Sequence, residues 1–405
     1  GASAGPHLHL ELRRTESGEY IDPMPYFKHL LIDSKAPVGS LIGIYPIQGK
    51  GVVNGSSHKK LLAIGNLKQP VHAWGEIYTG ISAKDYMDGT SNFYGVHSVT
   101  LYVDSVQVFN STTDKVLPDE NRMINGFTDY EELTRTRRLI MRSYTLPGNR
   151  LRLLHPNETR GAVTIDEERD YHFRYVLEDN FGNRRTYQFI VKGKRQDIPE
   201  YKPEANEMLY WNRTNVIQHP GMELVVPRYY VYEDVPLRTD MRGDSSHIAF
   251  DYILDAGRTP IHSYCDLSIG LRHMPVADTT KYSSVQKAGK WRSAMGGQYA
   301  NGWIKTRVRS LGTFSVDVDT IAPQITPIGQ GGWRTSRNIR FRIKDMESGI
   351  ENYKVYIDGK FVLFGLKKCI LVIQNPEKVK KGVPHKLEVT VTDQCGNMAR
   401  KEYKF

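Results

Sequence analysis

The chain repeats its own punctuation. Asp33–Pro37 reads D-S-K-A-P and Asp319–Pro323 reads D-T-I-A-P, each followed by an apolar run. Asp179–Asn183 (D-N-F-G-N) is matched by Asp393–Asn397 (D-Q-C-G-N), and each opens an alternating segment that ends in phenylalanine. Between these landmarks lie V-T-L-Y-V-D-S-V-Q-V-F and Y-K-V-Y-I-D-G-K-F-V-L-F, two alternating segments about a turn at Asp104 or Asp358. Period-two alternation around a turn residue is the signature of a β-hairpin. Asp and Asn cap such turns through side-chain-to-backbone hydrogen bonds, and Gly supplies positive φ, so D-x-x-G-N is explained without a ligand. Two stretches that share start, middle and end signals share a fold. Strands and turns at this density predict an all-β chain of immunoglobulin-like β-sandwiches.

The 405 residues exceed one ordinary core. The repeat places sandwich modules over residues 28–197 and 319–405, and a third over 198–318. That middle module opens on the Pro- and Glu-rich joint R-Q-D-I-P-E-Y-K-P-E and closes on F-S-V-D-V, directly before the second D-x-x-A-P. The proline there removes a ladder donor and fixes the chain direction, which suits a joint. The first module is longer, with expected insertions around residues 45–90 and 113–165. Within the second, T-D-Y-E-E-L-T-R-T-R-R-L-I predicts a short helix capped by Thr128 or Asp129.

Charge and motifs exclude more than they assign. Lys+Arg 55 against Asp+Glu 45 leaves +10, spread along the chain, which reads as a solvated basic surface able to meet anionic polymers. No apolar run approaches the ~20 residues of a membrane helix. An export signal is expected upstream of residue 1, because residues 1–12 hold two histidines and a glutamate in place of an apolar core. The three cysteines, Cys265, Cys369 and Cys395, form no C-x-x-C; free buried thiols are favoured over a Cys369–Cys395 bridge. There is no phosphate loop and no G-x-S-x-G elbow. R-G-D at Arg242–Asp244 reads as an exposed turn, and the five tryptophans stand in separate segments without forming a visible platform. Turn carboxylates Asp104, Asp179, Asp345, Asp358 and Asp393 offer calcium chemistry where several oxygens converge, though most such groups only cap turns.

The opening stretch is different. G-P-H-L-H-L-E-L-R-R followed by G-E-Y-I-D-P-M-P-Y-F resembles the final segment of the lysostaphin/LytM-type zinc metallopeptidases, through Gly5, Pro6, His7, His9, Glu11, Tyr20, Ile21, Asp22, Pro23, Pro25 and Tyr26. The resemblance covers about residues 1–27, a terminal and incomplete piece of that domain. On a strand, residues two apart share a face, so His7 and His9 project together. The resemblance implies that His9 ligates zinc and that His7 is a catalytic histidine beside it. The family's other two ligands, a histidine and an aspartate in an H-x-x-x-D-type motif, lie earlier in the domain, and only four residues precede Gly5. His72 with Glu76 and His219 with Glu223 are the nearest downstream substitutes, in segments that read as other modules.

Two expectations follow. The first is the C-terminal region of a bacterial cell-envelope zinc metalloendopeptidase that cleaves peptidoglycan cross-links. Zinc would then belong to the complete parent enzyme, and this chain would be inactive alone. The second is a non-catalytic multi-module envelope protein that binds glycan or protein. Either places the chain outside the cytoplasm, in the periplasm or at the cell surface, with peptidoglycan or another envelope polymer or protein as partner. A lone hairpin is barely stable in water. Residues 1–27 are therefore expected as an incomplete strand pair docked on the first module.

Overall fold

The computed structural model describes residues 9–405. Strands dominate, and the buried apolar residues gather in three cores, drawn chiefly from residues 42–191, 209–316 and 325–391. The longest helix is the single stretch Tyr130–Thr136, capped by Asp129, whose carboxylate accepts from Glu132 N–H. No described helix is long and apolar enough to cross a membrane.

The third module is a sandwich of two four-stranded antiparallel sheets, and the middle module pairs a six-stranded with a five-stranded sheet. In the first module one eleven-stranded sheet supplies both walls. Ile42, Ile44, Leu101, Phe109, Phe173 and Tyr175, drawn from distant parts of that sheet, share one core, so the sheet folds back on itself. Its spine is the antiparallel pair Val38–Val53 and Val71–Tyr86, sixteen residues each.

That spine corrects one expectation: most of residues 45–90 is integral to the sheet, not an insertion. The alternation is obscured because the pairing slips between Pro46 and Gly51. Here the backbones crowd so closely that a Cβ on Gly51 would fall 2.0 Å from Glu76 O, and Gly75 opposite sits at φ +81°. Proline and glycine at a bulge are what such a slip requires. Residues 113–165 do behave as an elaboration. Short strands Met141–Arg142 and Val163–Ile165 add to Val71–Tyr86, and Leu154–Pro156 adds to Val106–Thr112.

Ahead of the first module, Leu12–Arg13 pairs with Tyr20–Ile21, which pairs in turn with Lys115–Val116. This small sheet docks the segment as expected of a hairpin that cannot stand alone. Its anchor is ionic. Arg152 bridges the buried carboxylates of Glu19 (2.8 Å) and Glu120 (2.7 Å), and Arg14 holds the second oxygen of Glu19 at 3.1 Å.

The first and middle modules share burial. Tyr232, 2% exposed, belongs to the middle module by sequence yet lies in the first module's core. Its hydroxyl donates to Arg122 O at 3.0 Å and its carbonyl accepts from Gly148 N–H at 2.6 Å. The middle and third modules are stapled by Lys281, whose carbonyl accepts from Asp319 N–H and whose ammonium donates to Cys395 O at 2.9 Å.

Two outcomes are expected. Tyr232→Ala removes a buried ring from the joint and costs about 3 kcal/mol in denaturant unfolding, separating one transition into two. Arg152→Ala leaves buried Glu120 without its cation and Glu19 with Arg14 alone, so limited proteolysis should cut the segment before residue 30 while the three cores resist digestion.

Candidate functional site

Strand periodicity places carboxylates at the ends of the cores. Along Asp170–Glu178 the inward positions are Tyr171, Phe173, Tyr175 and Leu177, and the next is Asp179. Along Val71–Tyr86 they are Ile77, Thr79, Ile81 and Ala83, and the next is Asp85. Asp33, from the first D-x-x-A-P, completes a trio whose ligand atoms lie within 4.8 Å of one another. The third module repeats the construction: Asp393 follows Leu387, Val389 and Val391, Asp345 follows Phe341 and Ile343, and Asp319 of the second D-x-x-A-P joins them. Three of the five turn carboxylates singled out in the sequence, Asp179, Asp345 and Asp393, are thus brought together with partners. Asp104 and Asp358 are not; each accepts a backbone N–H from the strand that neighbours its hairpin, from His172 and Lys386.

Asparagine closes each trio. Asn183 Nδ2 donates to Asp179 Oδ2 (2.8 Å) and to Asp33 O (3.1 Å). Asn397 Nδ2 donates to Asp393 Oδ2 (2.9 Å) and to Asp319 O (3.0 Å). The end motif of each module is therefore hydrogen-bonded to its start motif. The signal missed in sequence was Asp85, in the unremarkable run A-K-D-Y, visible only once the inward register of that strand is known.

The histidine site is less complete. His7 lies outside the described residues. His9 is 70% exposed, and its Nε2 donates to Glu11 Oε2 at 3.1 Å. Glu11 also accepts from Arg13 at 2.7 Å, and these bonds, His9's first, hold its carboxyl below the usual range. A zinc site needs about three protein ligands. Among the described residues, only the two carboxylate trios bring three potential ligands together, and neither includes His9. His72 with Glu76 lies on the spine of the first module, and His219 with Glu223 lies in a hairpin of the middle module. The described residues thus do not complete a zinc centre.

A cleft of about 420 Å³ opens between the first and middle modules. Lys59 stands in it with its ammonium 2.8 Å from Asp129 and 3.2 Å from Glu131. Tyr45 donates to Asp129 at 3.2 Å. Tyr144 stacks on Tyr78 at 4.0 Å, and the Arg142 guanidinium lies 5.4 Å from the Tyr144 ring centre. Arg142 Nε is buried and has no protein partner. Glu233 and Arg258 of the middle module complete the wall. Aromatic faces beside charged donors and acceptors suit a polar chain with some flat apolar surface, such as a glycan or a peptide.

The remaining sequence features resolve as structural. Asp244 of R-G-D accepts from Ser246 and His247 within its own turn. Trp333 packs in the third core against Tyr403 and Phe405, whereas Trp291 is 81% exposed and stands alone. All three cysteines are free, and burial pushes the Cys265 thiol up to about 12.

Residues 206–319 match the family model of a Zu5-like domain, a span that coincides with the middle module. No curated protein sequence matches the chain. Among solved structures, the chain is similar to a 1.5-MDa bacterial ice-binding adhesin (8% identity over 82% of this chain and 89% of that one, TM-score 0.14). It is also similar to a Ca²⁺-stabilized adhesin with which an Antarctic bacterium binds ice (10%, 89% and 98%, TM-score 0.14). A third similarity is to SGBP-B of a Bacteroides ovatus mixed-linkage glucan utilization locus, in complex with a heptasaccharide (12%, 81% and 62%, TM-score 0.13). At TM-scores this low the chains do not superpose as wholes.

One pH dependence follows from the joint beneath the cleft. His262 sits with Nδ1 3.0 Å from Tyr232 Oη, and burial, followed by the charges of Arg122 and Arg150, holds its pKa below the ordinary 6.5. A histidine depressed in the folded state contributes stability above its unfolded pKa and loses it as pH falls. Stability of the joint should therefore decline as pH drops below 6.5. Denaturant midpoints measured across that range should show a shallower decline in His262→Gln.

Proposed function

We propose that this chain is a non-catalytic, multi-module binding protein of the bacterial envelope that holds a glycan or peptide polymer in the cleft between its first and middle modules. The observation that carries the proposal is Arg142: a buried guanidinium nitrogen without a protein partner, facing a cleft walled by Tyr45, Lys59 and Glu233. An unmet buried donor is costly, and a ligand acceptor would satisfy it. Peptidoglycan, with sugars and carboxylate-bearing peptides, fits the mixed chemistry.

A finer reading joins this one to the resemblance at the start of the chain. In it, the modules position a LytM-type zinc metalloendopeptidase on its cross-linked substrate, with His7 and His9 contributing to a centre completed by residues outside this chain. The observation in its favour is the docking of the Tyr20–Ile21 exit strand onto the first module through Glu19 and Arg152. Such a mount would fix the peptidase relative to the cleft. The intact mass of the protein recovered from its host envelope separates the readings. A species heavier by about one small domain (~100 residues) supports the peptidase, and a mass equal to this chain removes it.

The binding proposal is tested by sedimentation with purified sacculi. The chain should co-sediment, Arg142→Gln and Lys59→Ala should each weaken retention about tenfold, and no muropeptide should be released even with added zinc. Failure to co-sediment, or retention unchanged in both variants, would sink the assigned cleft.

A further inference from the structure

We propose that the trio Asp33, Asp85 and Asp179 is a calcium site that locks the start of the first module to its end. Three carboxylates supply ligand atoms within 4.8 Å of one another. Two of the three are buried, Asp85 at 7% exposure and Asp179 at 2%. Asp85 Oδ1 is buried without a hydrogen-bond partner, and so is Asp33 Oδ2. A charged oxygen shut away from water is retained only when something pairs with it.

The protein's own groups do not provide that pairing. Asp179 is satisfied by Phe181 N–H, Asn183 N–H and Asn183 Nδ2, which fix its orientation but leave its charge. Lys35, two residues from Asp33, gives its backbone N–H to Asp33 Oδ1 at 3.0 Å but turns its ammonium away to Met87 O at 3.0 Å and to Asp88 at 3.6 Å. The charges acting on Asp85 are Asp179 and Asp33, both negative. Burial first, and then those two neighbours, lift its carboxyl to about 6. Asp33 is raised as well, again chiefly by burial.

The third module serves as an internal comparison. It has the same motifs, the same inward register and the same asparagine closure, but there Asp319 Oδ2 accepts from Ser348 N–H at 3.0 Å. No donor takes that role at Asp33 Oδ2. The first trio thus combines three carboxylates with two orphaned oxygens, where the other has closed its Asp319 oxygen internally.

The donor set selects the ion. All the ligand atoms are oxygens from hard carboxylates, with neither thiolate nor imidazole, which favours a hard divalent cation over zinc. Calcium accepts irregular oxygen cages, whereas magnesium demands a tight octahedron and sheds water reluctantly. Water can fill the remaining positions. Asp33 and Asp85 also border a cavity of about 380 Å³ lined by Tyr20–Met24, so an ion here stiffens the joint onto which that N-terminal segment docks.

The test uses the full chain stripped with a chelator, then titrated calorimetrically with calcium and followed by thermal unfolding. Calcium should bind with a dissociation constant of roughly 0.01–1 mM, the range of sensor and extracellular sites. It should raise the midpoint of the transition in which the first module unfolds. Asp85→Asn, with an unchanged circular dichroism spectrum, should weaken binding at least tenfold and abolish the shift. Should that variant fail to fold, Asp33→Asn, on the half-exposed loop, carries the same expectation. Absence of calcium uptake by the unmodified chain at about 10 mM, well above that range, would overturn the proposal. So would binding that persists undiminished in the folded variants.

Discussion

Each outer module is held shut by one asparagine. Asn183 and Asn397 reach from the last hairpin to the carbonyl of the first aspartate, Asp33 or Asp319, while gripping the carboxylate of their own turn. Start and end of a module are some 80 to 150 residues apart in sequence, so this contact closes the longest loop the module has. Closing long loops is where a local bond has most effect on the unfolded ensemble, because the ends must otherwise find each other by diffusion. The inward carboxylates of each module are held beside one another by that closure.

The repeat of D-x-x-A-P and D-x-x-G-N was legible because both motifs are contiguous and stereotyped, and it located the two outer modules without any structure. Why the motifs recur together was not legible. Reading D-x-x-G-N as a self-sufficient turn cap accounts for Asp179 with Phe181 and Asn183, but not for the bond across the module to Asp33. Asp85 carried no local signal at all; its significance lies in following Ile77, Thr79, Ile81 and Ala83 at the inward positions of its strand. Long-range register is invisible to a pattern of period two, since alternation fixes which residues share a face but not which strands face each other. The cleft was missed for the same reason: Lys59, Arg142 and Glu233 come from three remote segments, and no spacing links them.

The two joints use different physics. Between the middle and third modules the contacts are hydrogen bonds through Lys281, which fix direction with little shared apolar burial. Between the first and middle modules an aromatic residue crosses the boundary and sits in its neighbour's core. Interfaces built mainly of polar contacts permit relative motion, whereas shared burial of a large ring makes two modules unfold and move as one. The first and middle modules are thus a single mechanical unit, with the third module attached at its end.

That difference decides where a binding site can be built. A cleft between modules recognises a polymer only if its walls keep their spacing, because a gap that opens by an ångström loses the contacts that distinguish one ligand from another. The wall residues of the described cleft come from both sides of the Tyr232 joint: Tyr45, Lys59 and Arg142 on one, Glu233 and Arg258 on the other. Tyr232 and His262 sit beneath them and hold the spacing. Linkage then runs both ways. Anything that fills the cleft stabilises the joint by its binding free energy, and anything that loosens the joint, including protonation of His262, weakens the cleft by the same coupling.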